Sequence, residues 1–299
     1  MRTREFLGRG FRPVLRAIVF GSIFFLSVTP AVRAEDEPAK DKKKDKKECT
    51  EKSLKGSYGY TIEGLRFPFP PSAVGVELVG AAGLMVFDGE GSLTAQDTFH
   101  TAGTIGVVGH RTGTGSYTVA SNCTGSAELG GDFGGLTFNF SIFRGGREFA
   151  FLVTNPGTAQ PGAAMTTGHE ECTLASFKGA YTNVRLHDYR APFFTRVNVG
   201  LEDLTVDGRG NMVFPPVTQT VNGVFSHPTA IGTYTVSSNC LFSLDVLIMN
   251  EDGTTARVIR EGVVVDGGNQ VWAIGAGIPA SLNVGFARFK RRSLHGWDD

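Results

Sequence analysis

Neither sign of charge is in excess in this chain: its 299 residues carry 29 Lys+Arg against 29 Asp+Glu, so the overall balance points to no polyanionic partner. Charged residues make up only 19 %, too few for a coiled coil. No CxxC pair is present, which removes the common zinc-ribbon and thioredoxin-type spacings. A GxSxG elbow, an HExxH pair, a P-loop, a kinase signature and a dinucleotide fingerprint opening a helix are also missing. The six histidines (His100, His110, His169, His187, His227, His295) are scattered. No catalytic residue, cofactor or metal is expected on these grounds, and the sequence leans away from an enzyme.

Glycine and phenylalanine are abundant, 40 and 23 residues, and 41 % of the chain is hydrophobic. Glycine at nearly twice its usual share of about 7 % suits many short strands joined by tight turns, not a helical bundle. The apolar content excludes wholesale disorder.

Residues 1–34 read as an export signal. Arg2, Arg4, Arg9, Arg12 and Arg16 precede the apolar stretch Ala17–Val28, and Val32-Arg33-Ala34 offers small residues at a cleavage point after Ala34. Twelve apolar residues fall short of the roughly 20 that span a bilayer. The leader carries six Arg and one Glu, so its removal leaves 29 − 6 = 23 basic and 29 − 1 = 28 acidic residues, a net charge of −5. The expected location is the periplasm or the cell exterior, with no transmembrane span and no nucleic-acid partner. Residues 35–48 (EDEPAKDKKKDKKE) alternate charges with no large apolar side chain and read as a solvated, disordered tether.

Two copies of one domain follow, at 49–165 and 172–291, with 292–299 as a C-terminal tail. Cys49 to Tyr58 (CTEKSLKGSY) matches Cys172 to Tyr181 (CTLASFKGAY) at six of ten positions, an offset of 123. Asp88-Gly89-Glu90-Gly91 answers Asp207-Gly208-Arg209-Gly210 (offset 119), Tyr117 to Cys123 (YTVASNC) answers Tyr234 to Cys240 (YTVSSNC, offset 117), and Gly145-Gly146 answers Gly267-Gly268 (offset 122). Drift of a few residues is what changing loop lengths produce on a fixed framework, and each unit is the size of a domain with its own core.

Strands are legible within each copy. Leu136 to Ile142 (LTFNFSI) alternates apolar and polar residues at every step, and Arg144-Gly145-Gly146 turns it into Glu148 to Val153 (EFAFLV), a hairpin. Asp88 to Gly91 makes a second hairpin, and the other copy repeats both. Seven or eight strands per copy are expected, with helical turns only at Ser53–Lys55 and Ala175–Lys178. Sequential hairpins in about 120 residues close most economically into a small antiparallel barrel, which removes exposed edges. The predicted fold is all-β: two tandem up-and-down barrels.

The repetition also orders the four cysteines. Of three possible pairings, only Cys49–Cys123 and Cys172–Cys240 are equivalent in the two copies, closing loops of 74 and 68 residues. A metal site is the competing reading, but His169-Glu170-Glu171 beside Cys172 has no counterpart before Cys49. Asn122-Cys123-Thr124 and Asn139-Phe140-Ser141 fit the glycosylation pattern, although one holds a disulfide cysteine and the other lies in a strand.

Candidate binding residues lie on and after the first strand of each copy. Tyr58, Tyr60 and Ile62 share one face, as do Tyr181, Asn183 and Arg185. If that face is internal, the second barrel has the more polar interior, and Arg185 needs a carboxylate, with Glu202 and Asp203 as candidates, or a ligand anion. If it is external, Arg185 is a surface charge. The loops that follow hold Arg66, Phe67 and Phe69 in one copy and Arg190, Phe193 and Phe194 in the other, each combining a cation, aromatics and proline. They either lid a pocket for an apolar ligand, plug a barrel end or form the contact between domains.

Lys55-Gly56-Ser57-Tyr58, Phe87 to Thr94 (FDGEGSLT) and Gly115 to Cys123 (GSYTVASNC) together resemble a recurring kind of uncharacterised exported bacterial β-protein. The architecture is similar to calycin and allene-oxide-cyclase-like barrels, with Gly56-Ser57-Tyr58 and Gly179-Ala180-Tyr181 standing where a lipocalin has Gly-x-Trp. The resemblance implies small barrels that bind or isomerise apolar molecules. The expected function is a non-catalytic binding module for a small apolar ligand. The alternatives are a structural or surface-interaction protein with filled barrels, and a cyclase or isomerase.

Overall fold

The computed structural model describes residues 48–67, 77–102, 107–185, 188–190, 198–276 and 283–292. The chain enters through a single 3-10 turn, Glu51–Ser53, whose start is fixed by the Thr50 amide donating to Ser53 Oγ at 3.1 Å. Nine strands follow: β1 (Gly56–Arg66), β2 (Glu77–Phe87), β3 (Ser92–Ala102), β4 (Val107–Val119), β5 (Thr124–Leu129), β6 (Leu136–Phe143), β7 (Glu148–Val153), the two-residue β8 (Thr158–Ala159) and β9 (Pro161–Thr166). From β1 to β7 each strand pairs antiparallel with the next, β7 pairs with β9 and β9 returns to β1, so eight strands close a barrel while β8 pairs with the end of β1.

The 3-10 turn Leu174–Ser176 opens the next barrel, as Glu51–Ser53 opens the first. Its strands are β10 (Lys178–Arg185), β11 (Asp188–Arg190), β12 (Asn198–Asp207), β13 (Asn211–Phe214), β14 (Thr218–Val221), β15 (Val224–Ser226), β16 (Thr229–Val236), β17 (Leu241–Met249), β18 (Thr255–Val265), β19 (Gln270–Gly275) and β20 (Asn283–Arg291). Here β10 pairs with both β12 and β20 and closes a second eight-stranded antiparallel barrel, with the β14–β15 hairpin added to β12 and β11 added to β20. The predicted all-β, two-barrel fold is what the structure contains. The two entry turns begin one or two residues before the expected helical turns, and three further 3-10 turns, Gly131–Phe133, Arg144–Gly146 and Asp266–Gly268, form where none was expected, each at a glycine-rich reversal between strands.

Cys49–Cys123 and Cys172–Cys240 are the two disulfides, one per barrel, with Cα–Cα distances of 5.0 and 4.9 Å. Each ties the entering 3-10 turn to the tight turn after the Tyr-Thr-Val strand, where Cys123 (φ 68°) and Cys240 (φ 72°) hold left-handed backbone. That turn region is latched a second time by tyrosines. Tyr58 Oη donates to the Gly146 carbonyl and Tyr181 Oη to the Gly268 carbonyl, both at 2.6 Å. Tyr117 Oη points between the carbonyls of Glu51 and Leu54, and Tyr234 Oη between those of Leu174 and Phe177. Gly146 and Gly268 must be glycine: φ is +92° and +82°, and a Cβ would lie 2.2 Å from the Ser53 oxygen and 2.1 Å from the Ser176 oxygen. One end of each barrel is thus stoppered by the buried side chain that follows its 3-10 turn, Leu54 or Phe177.

The two barrels pack directly on each other. In β1, Tyr58, Tyr60 and Ile62 face the lumen, yet Gly59 and Thr61 are also buried, because the outer face of β1 meets the second barrel. A Cβ on Gly59 would fall 2.3 Å from Val265 Cγ1, so glycine sets the closeness of approach. Leu84 and Met165 pack with Val263, Val265 and Trp272, and Ala82 with Ile274. Polar contacts border this seam: Thr98 Oγ1 donates to Glu261 at 2.5 Å, His110 Nε2 lies 2.7 Å from the same carboxylate, Arg147 reaches Asp266 at 3.0 Å, and Arg288 donates to Thr61 Oγ1 at 3.0 Å.

His100 stands on the same outward face of β3 as Thr98, 2 % exposed, with neither ring nitrogen hydrogen-bonded among the described residues. Burial pushes its pKa below the ordinary value of 6.5. Its depressed folded value means the unfolded chain takes up the proton first, so the neutral ring favours folding above about pH 6.5 and that contribution is lost as pH falls toward the folded value. Urea unfolding from pH 7.5 to 5 is expected to show a falling midpoint that flattens in His100→Phe; equal slopes in both proteins would dismiss His100 as the cause.

Candidate functional site

The lumen of the first barrel is full. Tyr58, Phe87, Tyr117 and Phe149 stack edge-on, with centroids 4.9–5.6 Å apart. Phe138, Phe140 and Phe151 continue the stack. Beyond them lies a polar cluster. Tyr60 Oη donates to Asp97 at 2.6 Å, and Arg111 forks onto the same carboxylate at 2.9 and 2.6 Å while its guanidinium lies over the rings of Phe99 and Phe133. Burial, and then the nearby Asp97 charge, drive the Tyr60 pKa well above 10, so this hydroxyl stays protonated as a donor. Every polar group in the cluster is satisfied, which is the arrangement of a structural network.

The second barrel differs at the matching places. Tyr60 pairs across the ladder with Gly83, and Asn183 pairs with Glu202. Phe138 precedes Gly146 by eight residues, and Arg260 precedes Gly268 by the same number. Thus Tyr60, Gly83 and Phe138 are replaced by Asn183, Glu202 and Arg260. Asn183 Nδ2 donates to Glu202 at 3.0 Å and Arg260 lies 3.4 Å from the same carboxylate, with all three residues buried. The Arg260 guanidinium has five N–H donors, so this one long contact leaves it with capacity to spare.

Above this polar floor a narrow pocket opens, with about 40 Å3 of interior space that widens to about 430 Å3 only when its open mouth is counted. Its walls are Phe214, Val217, Ala230, Val246, Ile248 and Val258, and Glu202 and Arg260 close its inner end. The strands explain the lining: β13, β16, β17 and β18 alternate inward apolar residues, and these residues sit at the end away from the disulfide and the Phe177 stopper.

No family model matches this chain, and no curated protein is similar to it. The site therefore speaks through its own chemistry.

The expected binding residues fall in different places. Tyr58 and Tyr181 are latches at the closed ends, and burial raises the Tyr58 pKa to about 12. Tyr60 belongs to the filled lumen. Arg66 pairs with Glu77 at 2.5 Å on the outside, and Phe67 is 42 % exposed. Arg185 and Arg190 lie on β10 and β11, with side chains outside the described set, and Phe69, Phe193 and Phe194 lie outside the described residues. Of the two carboxylates considered for Arg185, Glu202 is internal, whereas Asp203 accepts from Thr182 at 2.6 Å and Arg292 at 3.3 Å. The face carrying Tyr181 and Asn183 is the inner one; each lumen holds a buried carboxylate and an arginine, Asp97 and Arg111 in the first and Glu202 and Arg260 in the second. Arg260 was not anticipated; the signal was available in its spacing to Gly268, set against Phe138 and Gly146.

A second cleft runs between the barrels, about 690 Å3 with its opening, lined by Gln96, Thr98, His110, Thr235, Ser243 and Glu261 among others. Across the seam, Thr98 and His110 both bond to Glu261. Among the described residues no three His, Cys, Asp or Glu side chains gather in a way that holds a metal ion.

Proposed function

We propose that the chain is an exported binding protein in which the first barrel is a filled scaffold and the second takes a small, mainly apolar ligand. The observation that carries this reading is the exchange of Tyr60, Gly83 and Phe138 for Asn183, Glu202 and Arg260, which replaces packed aromatics with a polar floor beneath an apolar pocket. An apolar wall with a few convergent polar groups is the usual composition of a small-molecule site. The narrow lumen suits a slender aliphatic chain, and its head is a group that accepts from Arg260 and donates to Glu202, such as a hydroxyl or an amide. The two disulfides fit an oxidising compartment, and among the described residues no helix is long and apolar enough to cross a membrane.

The test is displacement of a fluorescent alkyl-chain probe, with Val246→Trp filling the pocket from the wall. Probe affinity is expected to fall about tenfold or more, the equivalent of about 1.4 kcal/mol, with the melting temperature held within a few degrees. Equal probe binding by wild type and Val246→Trp would reject the pocket as the site. A second reading, an isomerase of the barrel type, draws on the buried Glu202–Arg260 pair at the pocket floor; turnover of a bound ligand lost in a paired Glu202→Gln, Arg260→Met variant would select it.

A further inference from the structure

The outer wall around the pocket mouth is apolar and almost without charge. Val213, Ile231 and Leu247 lie directly opposite one another on the adjacent strands β13, β16 and β17, and all three are exposed, at 52, 50 and 42 %. Their neighbours in sequence, Phe214, Ala230 and Ile248, point the other way and line the pocket. The β14–β15 hairpin stands beside them, turning through Asn222-Gly223 at positive φ, and carries Val224 and Phe225, each 69 % exposed. From Asn211 to Leu244, 34 consecutive residues, there is no Asp, Glu, Lys or Arg. Soluble surfaces do not keep large apolar side chains side by side without a use for them. An exposed aromatic and an aliphatic side chain at a hairpin tip match the composition that settles into a lipid headgroup region.

We propose that this collar docks the second barrel on an electrically neutral lipid surface. Charge selects the lipid. The turn joining β17 to β18 carries Glu251 and Asp252 at the border of the collar, both exposed. Arg257 lies directly opposite Leu247 but is neutralised by Asp245, so the two border carboxylates leave the surface net negative, which is repelled by anionic headgroups and tolerates zwitterionic ones. The proposal concerns the collar, and the pocket enters only as the feature it surrounds.

The experiment uses the full chain and phosphatidylcholine vesicles. Phe225→Trp places a fluorophore at the hairpin tip, and its emission, taken as the difference from wild type, is expected to shift to the blue on vesicles and to be quenched by brominated acyl chains. In wild-type background, Val224→Asp with Phe225→Asp is expected to weaken partitioning by about tenfold or more, as removal of one buried aromatic contact implies, and to leave displacement of the alkyl-chain probe unchanged. Replacing half of the lipid with phosphatidylglycerol is expected to lower partitioning. An unshifted, unquenched fluorophore would overturn the proposal. So would a concentration-dependent dimer dissolved by the two aspartates, since the collar would then join two copies. Loss of probe binding in Val246→Trp with unchanged vesicle partitioning tests the pocket separately.

Discussion

Replacing Cys172 and Cys240 together by alanine is expected to lower stability by about 4 kcal/mol, as read from the urea-unfolding midpoint of the full chain. The bridge closes a loop of 68 residues, and constraining such a loop in the unfolded chain is worth roughly that amount in the chain-entropy account. The native state adds to the loss. Cys172 and Cys240 are buried in the second core cluster, and their bond holds the segment that presents Phe177 to Tyr181, Tyr234 and Phe242, with ring centroids 4.9–5.9 Å apart. For a unit of this size each kcal/mol moves the melting temperature by about 2–4 °C, so a fall of about 10 °C is expected. Wild-type protein in reductant should lose at least as much, because both bridges open. A variant that melts with the wild type would mean that the Phe177 stopper and the tyrosine latches hold the closed end unaided.

The second large effect is expected at Asp97. Its side chain has no exposure and answers two donors, the Tyr60 hydroxyl and the Arg111 guanidinium, itself 16 % exposed. Asp97→Ala strands a buried cation and a buried hydroxyl in a lumen of phenylalanines, and breaking such a pair from one side costs about 3–5 kcal/mol. Removal of the whole cluster is a different matter. The triple replacement Tyr60→Phe, Asp97→Leu, Arg111→Met takes away every group that needs a partner, and apolar replacements of similar size are often neutral. It is expected to recover most of the loss in urea unfolding. If Asp97→Ala and the triple variant are equally unstable, the cluster is doing more than satisfying its own members, and the Arg111 stack on Phe99 and Phe133 becomes the first place to look.

How far the sequence disclosed this molecule depended on what each residue's neighbours were. Leu136 to Ile142 became β6 with Phe138, Phe140 and Ile142 inward, because one face of that strand meets solvent and forces alternation. The Asp88 and Asp207 turns were equally plain. Asp207 accepts from the amides of Arg209 and Asn211 and from the Asn211 side chain, bonds that hold its pKa at about 2. The strands at the seam were harder to read. Val79 to Met85 (VGAAGLM) is buried on both sides and shows no alternation, since its outward residues are covered by the second barrel. Small residues in both alternating sets, with Gly59 opposite Val263 and Val265, were the trace of that contact.

The candidate site was less legible for a related reason. An arginine in a strand ordinarily faces water, and nothing adjacent to Arg260 in sequence marks it as internal. Only the comparison of copies, position against position, shows a cation where the other lumen has Phe138. The hairpin collar was missed in the same way: Val221-Asn222-Gly223-Val224 carries a strong turn signal, but exposure of Val224 and Phe225 is a property of the folded surface.

The two disulfides join neighbours in the order of the chain: the first cysteine with the second, the third with the fourth. A chain that emerges amino-terminus first presents each cysteine to its native partner before any other is available. An oxidant acting on thiols in their order of appearance makes the correct set directly, and thiol–disulfide reshuffling has nothing to repair. The first barrel also finishes at Thr166, ahead of Cys172 in the chain, so all of its strands and both of its cysteines are present before a competing thiol emerges.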